Sequence, residues 1–168
     1  STLMNALLGK KVSIATSRPQ TTRNRIVGVH TMPGRGQLIY VDTPGLHKPH
    51  KRLNEIMVRT AMKAIAGTDL VLAIVDAASF WAGAGVVSPG NLAVAERIGS
   101  LGLPVIVAIN KIDRLSHRDQ ILPMVEACQS LGPLSPKAVI PISALTGDNL
   151  GRLVDLLMAQ MPVGPQLY

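Results

Sequence analysis

The chain has 168 residues, 17 Lys and Arg against 10 Asp and Glu, a formal net charge of +7, and 47% apolar residues. That length suits one domain with a sizeable core. The only aromatic residues are Tyr40, Phe80, Trp81 and Tyr168, so the core is aliphatic and base stacking on aromatic platforms is a poor prospect. Cys128 stands alone, which excludes an intrachain disulfide and a cysteine-rich zinc site and reads as a small buried residue on a helix. No apolar segment approaches the roughly 20 residues that cross a bilayer, and the N-terminus lacks a signal peptide's basic start and apolar stretch. A soluble intracellular protein is expected. The charge is uneven: residues 1–63 hold 11 basic and 2 acidic side chains, net +9, and residues 64–168 hold 6 and 8, net −2. A basic front half suits a polyanion (nucleotide phosphates, RNA or an anionic surface) or a solvated basic face.

In chain order, Ser1-Thr2 followed by apolar residues one turn apart predicts a helix to Leu8 with Gly9 as its stop. Residues 10–25 are a basic, hydroxyl-rich connection of a length typical of functional loops. Residues 26–31 and 37–41 read as strands around the turn Met32-Pro33-Gly34-Arg35-Gly36, hence a hairpin. Leu38-Ile39-Tyr40-Val41 runs straight into Asp42-Thr43-Pro44-Gly45, so a carboxylate and a flexible backbone sit at a strand end, where open α/β folds bind ligands. Residues 53–66 have helical spacing, and Leu70–Val75 before Asp76 is an apolar strand expected to be covered on both faces. A loop over 77–90 carries Phe80 and Trp81, read as packing in preference to a contact surface, with Pro89 at the next helix start. Helix 91–100, strand 103–109, a helix around 117–131 with Pro123 in its first turns, strand 137–142, the turn Thr146–Asn149 and helix 150–160 complete the alternation of a doubly wound sheet.

The second strand end carrying chemistry is Val105–Ile109 followed by Asn110-Lys111-Ile112-Asp113. An Asp carboxylate accepts two hydrogen bonds from guanine, and adenine has no matching donor pair. Asn110 ties the loop together, the Lys111 stem covers a base face, and Ser143-Ala144 after the next strand reaches the same base. Asp42 suits magnesium, a hard cation that keeps waters beside phosphates. Gly45 brings a backbone N–H against a terminal phosphate without a Cβ. Asp-Thr-Pro-Gly by itself is also an ordinary turn composition, and Asp113 by itself also reads as a helix cap.

The order Ser1-Thr2, Gln20-Thr21-Thr22-Arg23, Asp42-Thr43-Pro44-Gly45, Asn110-Lys111-Ile112-Asp113 and Ile142-Ser143-Ala144 resembles the translation-factor-related GTPases. Pro19-Gln20-Thr21-Thr22-Arg23-Asn24-Arg25-Ile26 narrows the resemblance to the Era-like group, over essentially all 168 residues. It implies an α/β, three-layer P-loop NTPase fold of small G-protein type, with a mostly parallel sheet lacking its first central strand. A truncated GTP-binding domain would cover residues 1–160, and 161–168 would begin a linker to a C-terminal RNA-binding domain of KH type that the chain does not contain. By the same resemblance Ser1, Thr22 (Thr21 being less favoured) and Asp42 attend Mg2+, and Thr22 and Gly45 are the catalytic candidates that sense the terminal phosphate. Asp42, Thr43, Pro44 and Gly45 hold the phosphate side, and Asn110, Lys111, Asp113, Ser143 and Ala144 the guanine. The implied cofactors are GTP or GDP, Mg2+ and a monovalent cation (K+). The implied partners are 16S rRNA and the small ribosomal subunit, for a cytoplasmic monomer with peripheral contact at the inner membrane. The implied activity is GTP hydrolysis as a switch in small-subunit assembly.

Two departures temper this. Leu46 stands where many relatives place a water-orienting Gln, so no general base is named. Ser1 matches the last position of the Gly-x-x-x-x-Gly-Lys-Ser/Thr phosphate loop, whose Gly and Lys would precede it. Lys10 and Lys11 do not replace that Lys, lying roughly 15 Å along from the helix start. Hydrolysis by these 168 residues alone is therefore doubtful. The alternatives are a basic RNA- or membrane-surface-binding module without nucleotide function, and another translation-factor-related GTPase.

Overall fold

A computed structural model describes residues 2–9, 26–42, 65, 67–83 and 85–165. The chain divides into two compact units, Ser1–Thr68 with Met161–Tyr168, and Asp69–Gln160.

In the first unit, helix α1 (Thr2–Leu8) buries Leu3, Met4 and Leu7 on one face. Gly9 ends it with a left-handed φ of 64°, a conformation open to glycine at little cost. Strands β1 (Ile26–Met32) and β2 (Gly36–Asp42) pair antiparallel, from Ile26 opposite Asp42 to Met32 opposite Gly36. The predicted hairpin is present; Arg35 N–H donates to Met32 C=O at 3.0 Å across its turn. α1 lies on β1, and Gly28 allows the approach, because a Cβ there would come 2.5 Å from Leu8 Cδ1. Tyr40 is partly buried, and burial pushes its hydroxyl up to about 12. The helix predicted over 53–66 falls outside the described residues except Ile65, which is helical and buried.

The second unit is a three-stranded parallel sheet in the order β3-β4-β5, with β3 at Val71–Asp76, β4 at Val105–Asn110 and β5 at Ala138–Pro141. Helices α2 (Pro89–Gly99), α3 (Ile121–Gln129) and α4 (Leu150–Gln160) alternate with the strands as expected. β4 is the centre: Val105 to Ile109 are all buried, so both its faces are covered. β3 corrects the expectation of two covered faces. Its residues alternate, and Ile74 is 48% exposed. Among the described residues no strand pairs with its other edge.

α2 begins with Ser88 as cap and Pro89 in its first turn, where the absent N–H costs nothing. The helix expected around 117–131 is instead a 3-10 turn, Arg118–Gln120, followed by α3 from Ile121. Pro123 sets that start: it lacks an N–H, so it fits only in a first turn, where that N–H would have no helical partner. The loop over 77–90 also gains structure, a 3-10 turn at Ala77–Ser79 and a bridge between Trp81 and Val87. Phe80 is fully buried with its ring edge-on to Trp81 at 4.6 Å, so it serves packing.

Cys128 lies on α3 with no exposed surface, and burial pushes its thiol up to about 12 from 9.0. Because burial disfavours the folded thiolate, stability is unaffected below pH 9 and falls as pH rises toward 12. At pH 8 the native state should hold far less thiolate than the unfolded chain. Disulfide-reagent labelling should therefore be slow in buffer and fast in denaturant; equal rates would contradict the burial.

Candidate functional site

The parallel register sets strand ends side by side. Asp76, last in β3, pairs with Asn110, last in β4, and Ile109 pairs with Pro141, last in β5. Each apolar strand is held by its buried side chains, so the polar residues that follow emerge together at one edge of the sheet. Asn110 is the knot. Its Oδ1 accepts from the N–H of Lys111 at 2.8 Å and from the N–H of Ala144 at 3.0 Å, joining two loops that are 34 residues apart. Lys111 takes a left-handed backbone, φ 67° and ψ 34°. That costs a non-glycine residue about 1–2 kcal/mol, offset here by the Asn110 bond and by Arg114 N–H donating to Lys111 C=O at 3.0 Å; Lys111 Nζ also donates to Asp76 Oδ2.

Asp113 lies in the 3-10 turn Ile112–Arg114, anchored by buried Ile112, whose N–H donates to Ile142 C=O at 3.3 Å. Ser143 is fully buried. Its hydroxyl donates to Asp113 Oδ1 at 2.5 Å and accepts from Thr146 N–H at 3.1 Å. That bond fixes the rotation of the carboxylate. Asp113 itself is exposed, and its Oδ2 has no hydrogen bond among the described residues. The loop behind it is tied as well: Ser143 N–H donates to Asp148 C=O at 3.1 Å, Gly147 N–H to Ser143 C=O at 2.9 Å, and Asn149 Nδ2 to Pro141 C=O at 2.8 Å. The Arg118–Asp148 ion pair, 3.9 Å apart and exposed, adds little.

An exposed carboxylate held rigid by a buried hydroxyl suits a ligand edge with two adjacent N–H donors. Guanine has that edge in N1–H and the 2-amino group; adenine offers an acceptor there and is repelled. The five guanine-side candidates, Asn110, Lys111, Asp113, Ser143 and Ala144, are thus gathered in one place. Asp42 is found at the end of β2 in the other unit. Ser1, Thr22, Thr43, Pro44 and Gly45 lie outside the described residues. Among the described residues no three His, Cys, Asp or Glu side chains converge as a metal site.

Sequence reasoning missed Asp76 and Asn149. Asp76 did carry a signal, since it closes an apolar run as Asp42 and Asn110 do. Asn149, placed in a turn by the sequence, has a positive φ of 60°, and its bond to Pro141 C=O is the part no local pattern marks.

A parallel α/β sheet with this cluster beyond its strand ends defines the class: a P-loop NTPase domain of G-protein type. The chain belongs to the 50S ribosome-binding GTPase family, whose model matches residues 1–111, and within that class it is Era-like. It is 42% identical to GTPase Era of Heliobacterium modesticaldum, over 100% of this chain and 53% of that protein. It is 36% identical to GTPase Era of Clostridioides difficile, over 100% of this chain and 54% of that protein. It is similar to a crystal structure of Era in complex with MgGDPNP and nucleotides 1506–1542 of 16S ribosomal RNA, with 37% identity, a TM-score of 0.89, and coverage of 100% of this chain and 54% of that one. A structure of Aquifex aeolicus Era bound to GDP·AlF4− gives the same identity and TM-score. The chain therefore spans about half the length of the curated relatives it matches.

Proposed function

We propose that the whole protein binds guanine nucleotide with Mg2+ and hydrolyses GTP to GDP and phosphate as a switch in small ribosomal subunit assembly. The observation that carries this is Asp113, exposed and fixed by Ser143, beside an Asn110 that binds both flanking loops. Asn110, Lys111, Asp113, Ser143 and Ala144 would take the base. Ser1, Thr22 and Asp42 would attend Mg2+, with Thr43, Pro44 and Gly45 at the phosphates and Thr22 and Gly45 at the terminal one. Bound Mg2+ would neutralise charge on the phosphate oxygens during hydrolysis. K+ is proposed as a further aid, since Leu46 cannot align water by hydrogen bonding.

The crystal structure of Era with 16S rRNA supports RNA of the small subunit as the partner, and the basic residues 1–63 suit a polyanion. We place the protein in the cytoplasm as a monomer, with peripheral contact at the inner membrane. Isothermal titration of the whole protein with GDP and ADP, with and without Mg2+, tests the core of this reading. Selective, Mg2+-strengthened GDP binding is expected; equal weak binding of both nucleotides would defeat it.

A further inference from the structure

Asp76 holds the lysine at the centre of the cluster. A lysine ammonium sits on a flexible four-carbon stem and ordinarily samples many rotamers. Lys111 has 45% of its side chain exposed, but it is held at both ends. Its backbone N–H donates to Asn110 Oδ1 at 2.8 Å, and its Nζ donates to Asp76 Oδ2 at 2.5 Å. Asp76 is fixed in turn. It is the last residue of β3, in register with Asn110, and its other oxygen accepts from Ala78 N–H at 2.9 Å, capping the turn Ala77–Ser79. One carboxylate oxygen therefore anchors Asp76 to its own strand end, and the other reaches 35 residues along the chain to the lysine.

We propose that Asp76 is a positioning residue for the nucleotide base. By holding the Lys111 ammonium, it lays out the lysine's methylene stem as a ready apolar wall for one purine face. The rotamer freedom of that stem is then lost before the base arrives, and binding loses less entropy. This rests on the guanine-nucleotide reading and deepens it by naming what orders Lys111. An ion pair this exposed adds little to folding, so its removal should leave the fold standing.

The test is a double-mutant cycle on GDP affinity in the whole protein, with Asp76→Asn and Lys111→Met alone and together. Asn keeps an oxygen for Ala78 N–H but offers no carboxylate to the ammonium. Met keeps an unbranched apolar stem and removes the ammonium. Asp76→Asn should weaken GDP binding about 3- to 10-fold with Lys111 present. In the Lys111→Met background the same substitution should change affinity less than about twofold, since its partner is gone. Thermal midpoints measured alongside should stay level across the four proteins. An equal loss in both backgrounds would show that Asp76 acts through structure alone and would overturn the proposal, as would unchanged affinity in the single variant. If the unsubstituted protein binds GDP no better than ADP, the guanine reading falls and this inference with it. GDP selectivity without coupling removes only the role of Asp76.

Discussion

Asp113→Asn is expected to weaken GDP binding by the whole protein about 100- to 1,000-fold and to create binding of xanthosine diphosphate. The carboxylate would accept two charge-assisted hydrogen bonds from guanine, each worth about 1.5–3 kcal/mol. Asn offers one oxygen and one NH2, so the NH2 meets the guanine 2-amino group, donor against donor. Xanthine carries a carbonyl at that position and takes the NH2 as a partner. Ser143 still has an oxygen to donate to, so the turn should keep its shape. Competition titrations with the two nucleotides would measure the switch. Unchanged GDP affinity with no gain for xanthine would remove Asp113 from the base site.

Asn110→Ala should be felt in stability and in binding. It removes the acceptor for Lys111 N–H and Ala144 N–H together. Ala144 N–H is part-buried and would be left without a partner, at a cost of about 1–3 kcal/mol, while Lys111 N–H is exposed and can turn to water. Lys111 would also lose a bond that holds its left-handed backbone, so GDP affinity should fall about 10- to 100-fold as the base contacts misalign. Urea unfolding followed by Trp81, the one tryptophan of the chain, reads the first effect and titration reads the second. Asn110→Asp keeps the accepting oxygen and should recover most of the lost stability. An Asn110→Ala protein that unfolds at the wild-type midpoint would mean the tie between the loops carries no energy.

The elements that could be read from the residues were those set by local rules. The hairpin around Gly34 follows from turn chemistry, and β4 from an unbroken apolar run. Pro89 marked its helix start because a missing N–H has few tolerated places. Pro123 obeys the same physics: residues 117–131 look evenly helical, and only the cost of a proline beyond the first turn fixes the start at Ile121. β3 went wrong for another reason. Leu70–Val75 is as apolar as β4, and composition does not report how far each face of a strand is covered by other elements.

For the candidate site, the residue types and their order were settled by the chain itself: Asn110, Lys111 and Asp113 after one strand, Ser143 and Ala144 after the next, Asp42 after an earlier one. Those are short-range facts, since a strand end and its turn lie within a few residues. What only the tertiary structure decided is which of these groups hold one another. Ser143 restrains Asp113 across 30 residues, Asn110 binds Ala144 across 34, and Asp76 holds Lys111 across 35. Parallel strands joined by helices bring such distant strand ends together, and their register, fixed by packing of the whole sheet, sets the ångström-scale distances on which a hydrogen bond depends.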